Sequence, residues 1–224
     1  MNKSTLSSIL GIVVVGMWFL GCSPTGPKSA NTVTDIDGNV YHTVTIGTQI
    51  WMAENLKTTK YNDGTAIPLV TGAAWDNLTT PGYCWYNDSA IYANTYGALY
   101  NWYAVKTGKL APTGWHVPTD SEWEVLGNYL GGDSVAGGPL KSTSTLWDSP
   151  NTGATDATGF AALPGGCRYN DGSFKGIGNN GLWWSSTAIV ATFSWYRCMS
   201  YYGAIVSRIN ANNGFGFSVR CVRD

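Results

Sequence analysis

The sequence predicts an α+β fold, with short antiparallel sheets, two modest helices and long loops. Three observations carry this. The 224 residues include 28 glycines and 9 prolines, which favours many turns over long helices. Period-two alternation marks the start of the domain, where Val44 and Ile46 interleave with Thr43 and Thr45, as a strand buried on one face requires. The helical stretches do not alternate with strands in a βαβ pattern, so a parallel doubly wound sheet is not indicated.

The elements follow in order. Behind Lys3, Ile9 to Leu20 is an apolar run of signal-peptide length, short of the ~20 residues of a comfortable membrane span. It ends Phe19-Leu20-Gly21-Cys22, which resembles a bacterial lipoprotein cleavage box. A signal peptide over residues 1–21 is therefore expected, with Cys22 lipidated and the membrane reached through that anchor. Residues 22–32 form a tether rich in Pro, Gly and Ser. No second linker of this kind follows, so a single domain is expected over residues 33–224.

Two turns open the domain. Asp37-Gly38 between TVTDI and NVYHTVTI is a type I′ hairpin signal, and Gly47-Thr48 before QIWMAENL suits type II′. YNDGT (61–65), WYNDSA (85–90) and YNDGS (169–173) share an Asn-Asp turn core, since both residues tolerate left-handed backbone. TYGALYNWYAV (95–105) reads as the first helix, with Leu99, Trp102 and Tyr103 at i, i+3, i+4 and Gly108 as its stop. The second helix starts at Thr119, with Glu122 three residues on as a capping box, and ends at Gly131-Gly132. Val135 to Pro150 reads as small-residue loop. LWWSST, SWYRCMSYY and GFSVRCVR then read as three strands of one antiparallel sheet.

Composition excludes some roles. Formal charge is −1 with no basic stripe, so nucleic acid is not an expected partner. Aromatics are 13%, led by 13 Tyr and 11 Trp, and rings with polar handles seek partners or water. With Cys22 assigned to lipid, Cys84, Cys167, Cys198 and Cys221 remain. An even number in an exported chain suggests two disulfides. Three pairings are open, with Cys84–Cys221 and Cys167–Cys198 as the working expectation.

Three stretches, VYHTVTIGTQIWMAENLKTTKYNDGT, APTGWHVPTDSEWEVL and the closing GFGFSVRCVRD, together resemble the Fibrobacter succinogenes major paralogous domain. That family consists of secreted and lipid-anchored bacterial domains. The resemblance implies a C-type-lectin-like fold, related to that of formylglycine-generating enzymes. It also implies a place in the cell envelope, at the outer membrane or surface of a Gram-negative bacterium.

Candidate chemistry is sparse. Asp120, Glu122 and Glu124 cluster, but Glu122 belongs to the capping box and Asp120 favours the helix dipole. His42 and His116 are the only histidines, and no H-x-x-x-H or C-x-x-C spacing marks a metal site. Formylglycine-generating enzymes use two cysteines close together near the chain end. Here Cys198 and Cys221 have 22 residues between them, so that chemistry is expected to be missing and no catalytic residue is assigned. Ca²⁺ is the one cofactor the resemblance leaves open. Trp85-Tyr86-Asn87-Asp88 is close to a lectin strand motif with one residue inserted, but reads first as a turn.

The strongest binding signal lies between Trp183 and Asn213. One ring of each aromatic doublet can face the core and the other solvent, and Tyr, Trp and Arg concentrate binding energy. Trp184, Tyr196, Tyr201, Arg208 and Asn210 are the expected contacts for an extracellular glycan or surface protein. Ala188 to Asn213 also departs from the Asn-, Ser- and Tyr-rich run of relatives. It resembles the variable segment that diversity-generating retroelements rewrite. The alternatives are an enzyme of the formylglycine-generating or carbohydrate-active class, and a structural envelope component without a discrete ligand.

Overall fold

The alternation around Val44 produces a β-meander. In the computed structural model, which describes Met1 and residues 31–224, β1 (Thr32–Thr34), β2 (Val40–Ile46) and β3 (Gln49–Met52) pair antiparallel in chain order. The segment read as a signal peptide (1–21), Cys22 and tether residues 23–30 lie outside the described residues. Gly47 turns β2 into β3 at φ +61°, where a side chain is disfavoured. The β1–β2 connection is not the expected type I′ turn, which needs positive φ at both central residues. Only Gly38 has it, at +84°. Asp35 shapes a wider loop instead: its carboxylate accepts from the Asp37 and Asn39 backbone N–H groups and from the Tyr41 hydroxyl at 2.6 Å.

After β4 (Tyr83–Cys84) the expected helix over 95–105 is broken in two. α1 (Ala93–Tyr96) stops at Gly97, β5 (Leu99–Asn101) intervenes, and α2 (Trp102–Val105) follows. Gly97 sits at φ +75°, and a Cβ there would lie 2.8 Å from the Leu56 carbonyl oxygen. β5 is drawn into a sheet between β4 and a C-terminal strand, and the Asn101 side chain caps α2 by accepting from the Ala104 N–H at 3.1 Å. Helical spacing was present, but sheet pairing won.

β6 (Trp115–His116) leads into α3 (Asp120–Tyr129) through the expected capping box. Thr119 Oγ1 accepts from the Glu122 N–H at 3.2 Å, and the Glu122 carboxylate accepts from the Thr119 N–H at 2.7 Å. α3 buries Trp123 and Leu126. Where the sequence reads as loop there is a further helix, α4 (Asp133–Leu140), with the content DSVAGGPL. Its poor helix formers have a packing reason. Cβ atoms added at Gly137 and Gly138 would lie 2.7 Å from the carbonyl oxygens of Ala204 and Gly153, so only glycine lets the helix approach those loops.

The remaining strands are β7 (Gly165–Arg168), β8 (Phe174–Ile177), β9 (Asn180–Val190), β10 (Phe193–Ser200), β11 (Val206–Asn212), β12 (Gly216–Phe217) and β13 (Val222–Arg223). One sheet has five strands in the order β1-β2-β3-β13-β6. The other has eight, in the order β11-β10-β9-β7-β12-β5-β4 with β8 beside β7. GFSVRCVR is therefore not the third strand after β9 and β10. That place is taken by β11, and the closing segment instead crosses between the sheets, with β12 in one and β13 in the other. The result is an α+β domain of two sheets and few short helices.

β9 divides the interior. Trp183 and Trp184 point to opposite faces, as alternation requires, but both faces are covered and both rings are 0% exposed. Trp183 packs with Trp51, Trp123 and Phe160 under α3 and α4, and Trp184 with Tyr100 and Phe217 on the other side. The segment after β12 joins these halves. Arg220, wholly buried, donates from Nη2 to Asn55 Oδ1 at 2.9 Å and from Nη1 to the Phe160 carbonyl, and Trp183 Nε1 donates to the same Asn55 oxygen at 2.8 Å.

All four cysteines of the domain are free thiols, which corrects the expected disulfides. Cys167 and Cys198 flank Leu182 on one sheet face, since Cys198 pairs with Leu182, and Gly166 pairs in parallel with Gly181. Two strand spacings, about 10 Å, exceed the ~7 Å a disulfide spans. Cys84 and Cys221 lie in different core clusters.

Two outcomes are expected. Asn55→Ala removes the acceptor shared by Arg220 and Trp183 and should lower unfolding free energy by about 3 kcal/mol, read by urea denaturation; a loss below about 1 kcal/mol would argue against the role. Under denaturing, non-reducing conditions, iodoacetamide should label Cys84, Cys167, Cys198 and Cys221 in full, by mass spectrometry. Labelling of only two would restore a disulfide.

Candidate functional site: an aromatic cleft on the C-terminal sheet

The site begins with a turn. In YNDGS the Tyr169 N–H donates to the Ser173 carbonyl at 2.8 Å, Gly172 sits at φ +79°, and Asp171 Oδ1 accepts from the Ser173 N–H at 2.9 Å. YNDGT repeats this arrangement, with Tyr61 N–H to the Thr65 carbonyl at 2.8 Å and Asp63 Oδ1 accepting from Thr65 N–H at 2.9 Å. Here the turn sends β8 back along β7, with Cys167 opposite Lys175. The Lys175 ammonium then lies 5.2 Å from the centre of the Tyr169 ring.

β9, β10 and the approach to β12 complete a concave surface enclosing about 390 Å³. Its floor is apolar and aromatic. The Tyr196 ring lies 4.6 Å from Phe217, Phe217 packs 4.4 Å from the buried Trp184, and Tyr169 lies 5.1 Å from Phe215. Leu182, Cys167 and Cys198 also line it. Burial raises the Tyr169 and Tyr196 hydroxyls and pushes the thiols of Cys167 to about 12 and Cys198 to about 11. All four groups are therefore protonated at neutral pH. Among the described residues, the hydroxyls of Tyr169 and Tyr196, the Asn180 amide and the Lys175 ammonium have no hydrogen-bonding or ion-pair partner in the protein. An apolar floor with a few uncommitted polar groups is the usual make-up of a small-ligand site, and the volume falls in the usual ~300–1,000 Å³ range.

Two other concavities are less suited. One of about 180 Å³ beside β2 and β3 is lined by Glu54, Asn55 and Lys57, whose side chains already bond His42, Arg220 and Asn94. One of about 570 Å³ on the five-stranded sheet offers a single ring, Trp115, among threonines and Arg223.

Of the five residues expected to bind ligand, Tyr196 alone lines the cleft. Trp184 lies directly beneath it with no exposed surface, its Nε1 donating to the Tyr100 carbonyl at 2.8 Å. Arg208 and Asn210 pair with Arg197 and Trp195, one residue out of step with Tyr196, and so occupy the opposite face. Arg208 stacks 3.5 Å from the centre of the Trp195 ring and ion-pairs with Asp120 at 2.8 Å. Tyr201 packs half-buried against the core that contains Trp183. The expected set is thus split by the sheet. Tyr169, Lys175, Asn180, Phe215 and Phe217 were missed. The readable signal was the i, i+2 spacing of Phe215 and Phe217, which puts both rings on one strand face.

The other candidates are committed elsewhere. Asp120 holds Arg197 at 2.6 Å as well as Arg208. Asp88, in the WYND run, binds the buried Arg168 at 2.7 Å and the Gly72 N–H at 2.8 Å, and Asn87 and Asp88 both have φ +52°, as the turn reading requires. Among the described residues no three His, Cys, Asp or Glu side chains gather as a metal-binding group.

The chain is a two-sheet α+β domain with few short helices, and its sequence assigns it to a family. The Fibrobacter succinogenes major domain matches residues 44–223, and the chain belongs to that family. No curated protein and no solved structure matches it.

His116 carries a pH dependence. Nδ1 lies 2.6 Å from Asp224 and Nε2 2.7 Å from Glu122. Burial alone would lower its pKa, but hydrogen bonds to the two carboxylates outweigh this and raise it. A raised folded pKa means the stabilisation is complete below the unfolded value, about 6.5, and is lost as pH rises through the folded one. His116→Gln should therefore lower the melting temperature more at about pH 6 than at about pH 9. Equal lowering at both would count against the pairing.

Proposed function

We propose that this chain is a cell-envelope lipoprotein whose domain binds an extracellular glycan or surface protein in the aromatic cleft. The observation that carries the reading is the set of uncommitted groups (Tyr169, Lys175, Asn180 and Tyr196) around a floor of rings. Aromatic faces stack on sugar rings while hydroxyl and amide groups bond their substituents, so a glycan is the better-matched ligand. A C-type-lectin-like arrangement of the two sheets belongs to this reading, as do lipidation at Cys22 and display at the outer membrane. His116 has both ring nitrogens bonded to carboxylates, and the Cys167 and Cys198 thiols are protonated.

The reading includes a diversified surface. Ala188 to Phe193 form the exposed tip of the β9–β10 hairpin, with Val190 55% exposed, and Cys198 lies on the cleft wall. A segment that changes without unfolding the domain would need such positions. A reverse-transcriptase gene with an adenine-rich template copy beside this gene is the expected finding; lack of both would sink this part.

A glycan and surface-protein array identifies the ligand, and titration calorimetry then tests the cleft. Tyr169→Ala should weaken binding at least about tenfold. Tyr196→Phe keeps the packing but removes the hydroxyl, and should weaken it about 3- to 10-fold. Both variants should keep a cooperative melt. Wild-type affinity in both would place the ligand elsewhere.

A further inference from the structure

We infer that the cleft selects ligands bearing a carboxylate, specifically an acidic sugar residue of the hexuronate type within an extracellular polysaccharide. This rests on the reading of the cleft as the ligand site. The argument is one of donor and acceptor balance. Lys175 supplies three donors and no acceptor, and the Asn180 amide supplies two donors and one acceptor. The Tyr169 and Tyr196 hydroxyls are protonated and free to donate. No carboxylate lines the cleft. The backbone adds little, since the Lys175 carbonyl already faces the Cys167 thiol. A neutral sugar presents hydroxyl protons that need acceptors, and this wall has few. A carboxylate presents only acceptors, so it fits.

The charge on Lys175 is also available. Arg168, Arg197 and Arg208 are ion-paired, as are Lys60 and Lys109. Lys175 has no such partner among the described residues. The nearby acid, Asp171, is turned to the Ser173 N–H at 2.9 Å and the Ser173 hydroxyl at 2.6 Å. Pairing across β7–β8 fixes the base of the lysine, and the Tyr169 ring supports its ammonium from one side. The charge therefore stands at the rim of the aromatic floor, where a ring stacked on Tyr169 or Tyr196 would place a carboxyl substituent.

The test compares uronate-containing oligosaccharides with their neutral hexose counterparts by titration calorimetry, at low and high salt. The acidic ligand should bind about tenfold tighter, with the advantage shrinking as salt rises. Lys175→Met should bring the acidic-to-neutral affinity ratio to about one, and Lys175→Arg should preserve it. Lys106, whose ammonium lies 4.9 Å from the centre of the Tyr103 ring and which does not line the cleft, is the control for net charge, and Lys106→Met should leave the ratio as in wild type. Equal affinity for acidic and neutral ligands, both lost in Tyr169→Ala, would overturn the selectivity while the cleft stands. Binding of either ligand that is indifferent to Tyr169→Ala would instead overturn the cleft itself.

Discussion

The guanidinium of Arg220 is held wholly out of water, with no ion-pair partner among the described residues. Burial draws its pKa down to about 9, so it still carries its charge at neutral pH. That charge is tolerable only because Asn55 and the Phe160 carbonyl accept its protons and the Phe160 ring lies 4.1 Å from the guanidinium carbon. Asn55 in turn accepts from Trp183 and donates to the Tyr96 carbonyl and the Ser218 hydroxyl. One amide thus ties the segment between the sheets, the dividing strand β9 and the end of α1 into a single network. Breaking it would strand a buried charge, which costs more than an intact pair contributes. The crossing of the final strands, and through it the position of Phe217 on the cleft floor, depends on this arrangement.

The same device recurs. Lys141, Arg168 and Arg197 are each no more than 1% exposed. Lys141 donates to the carbonyls of Thr152, Ser200 and Gly203 at 2.8–3.0 Å, pinning the segment after α4 to the end of β10. Arg168 gathers the Val70, Gly72 and Gly172 carbonyls and Asp88. Loops rich in glycine and proline leave many carbonyls without ladder partners, and buried polar groups must be satisfied. Long cationic side chains reach several at once. The internal use of cations also explains how a chain with only 12% charged residues leaves so few free charges near the cleft, and why the single lysine at its rim has such weight there.

Local chemistry was legible where it was self-contained. The Thr119–Glu122 capping box, the positive φ at Gly47 and the twin YND turns each depend on a few adjacent residues, and each formed as read. The misreadings share a cause. Residues 95–105 have helical spacing, yet Leu99 to Asn101 were taken into a sheet by strands distant in sequence. Residues 133–140 lack helix formers, yet a helix forms because Gly137 and Gly138 admit neighbouring carbonyls. The site was read in part, through Tyr196, and missed at Tyr169, Lys175 and Phe215, which turn toward Tyr196 only because β7, β9, β10 and β12 lie side by side.

The sequence by itself determined the α+β class, the family, the opening meander, the start of α3 and the turns, since these follow from hydrophobic period, capping and backbone freedom within a few residues. Tertiary structure alone decided which face of each strand would be covered. Alternation says that Trp183 and Trp184 point opposite ways, but not that a second layer lies on both sides. Strand adjacency likewise put Cys167 and Cys198 on either side of β9, too far apart to join. It also sent Arg208 and Asn210 to the face opposite Tyr196. A side chain's direction is set locally, while its exposure and its neighbours are set by segments that are remote in the chain.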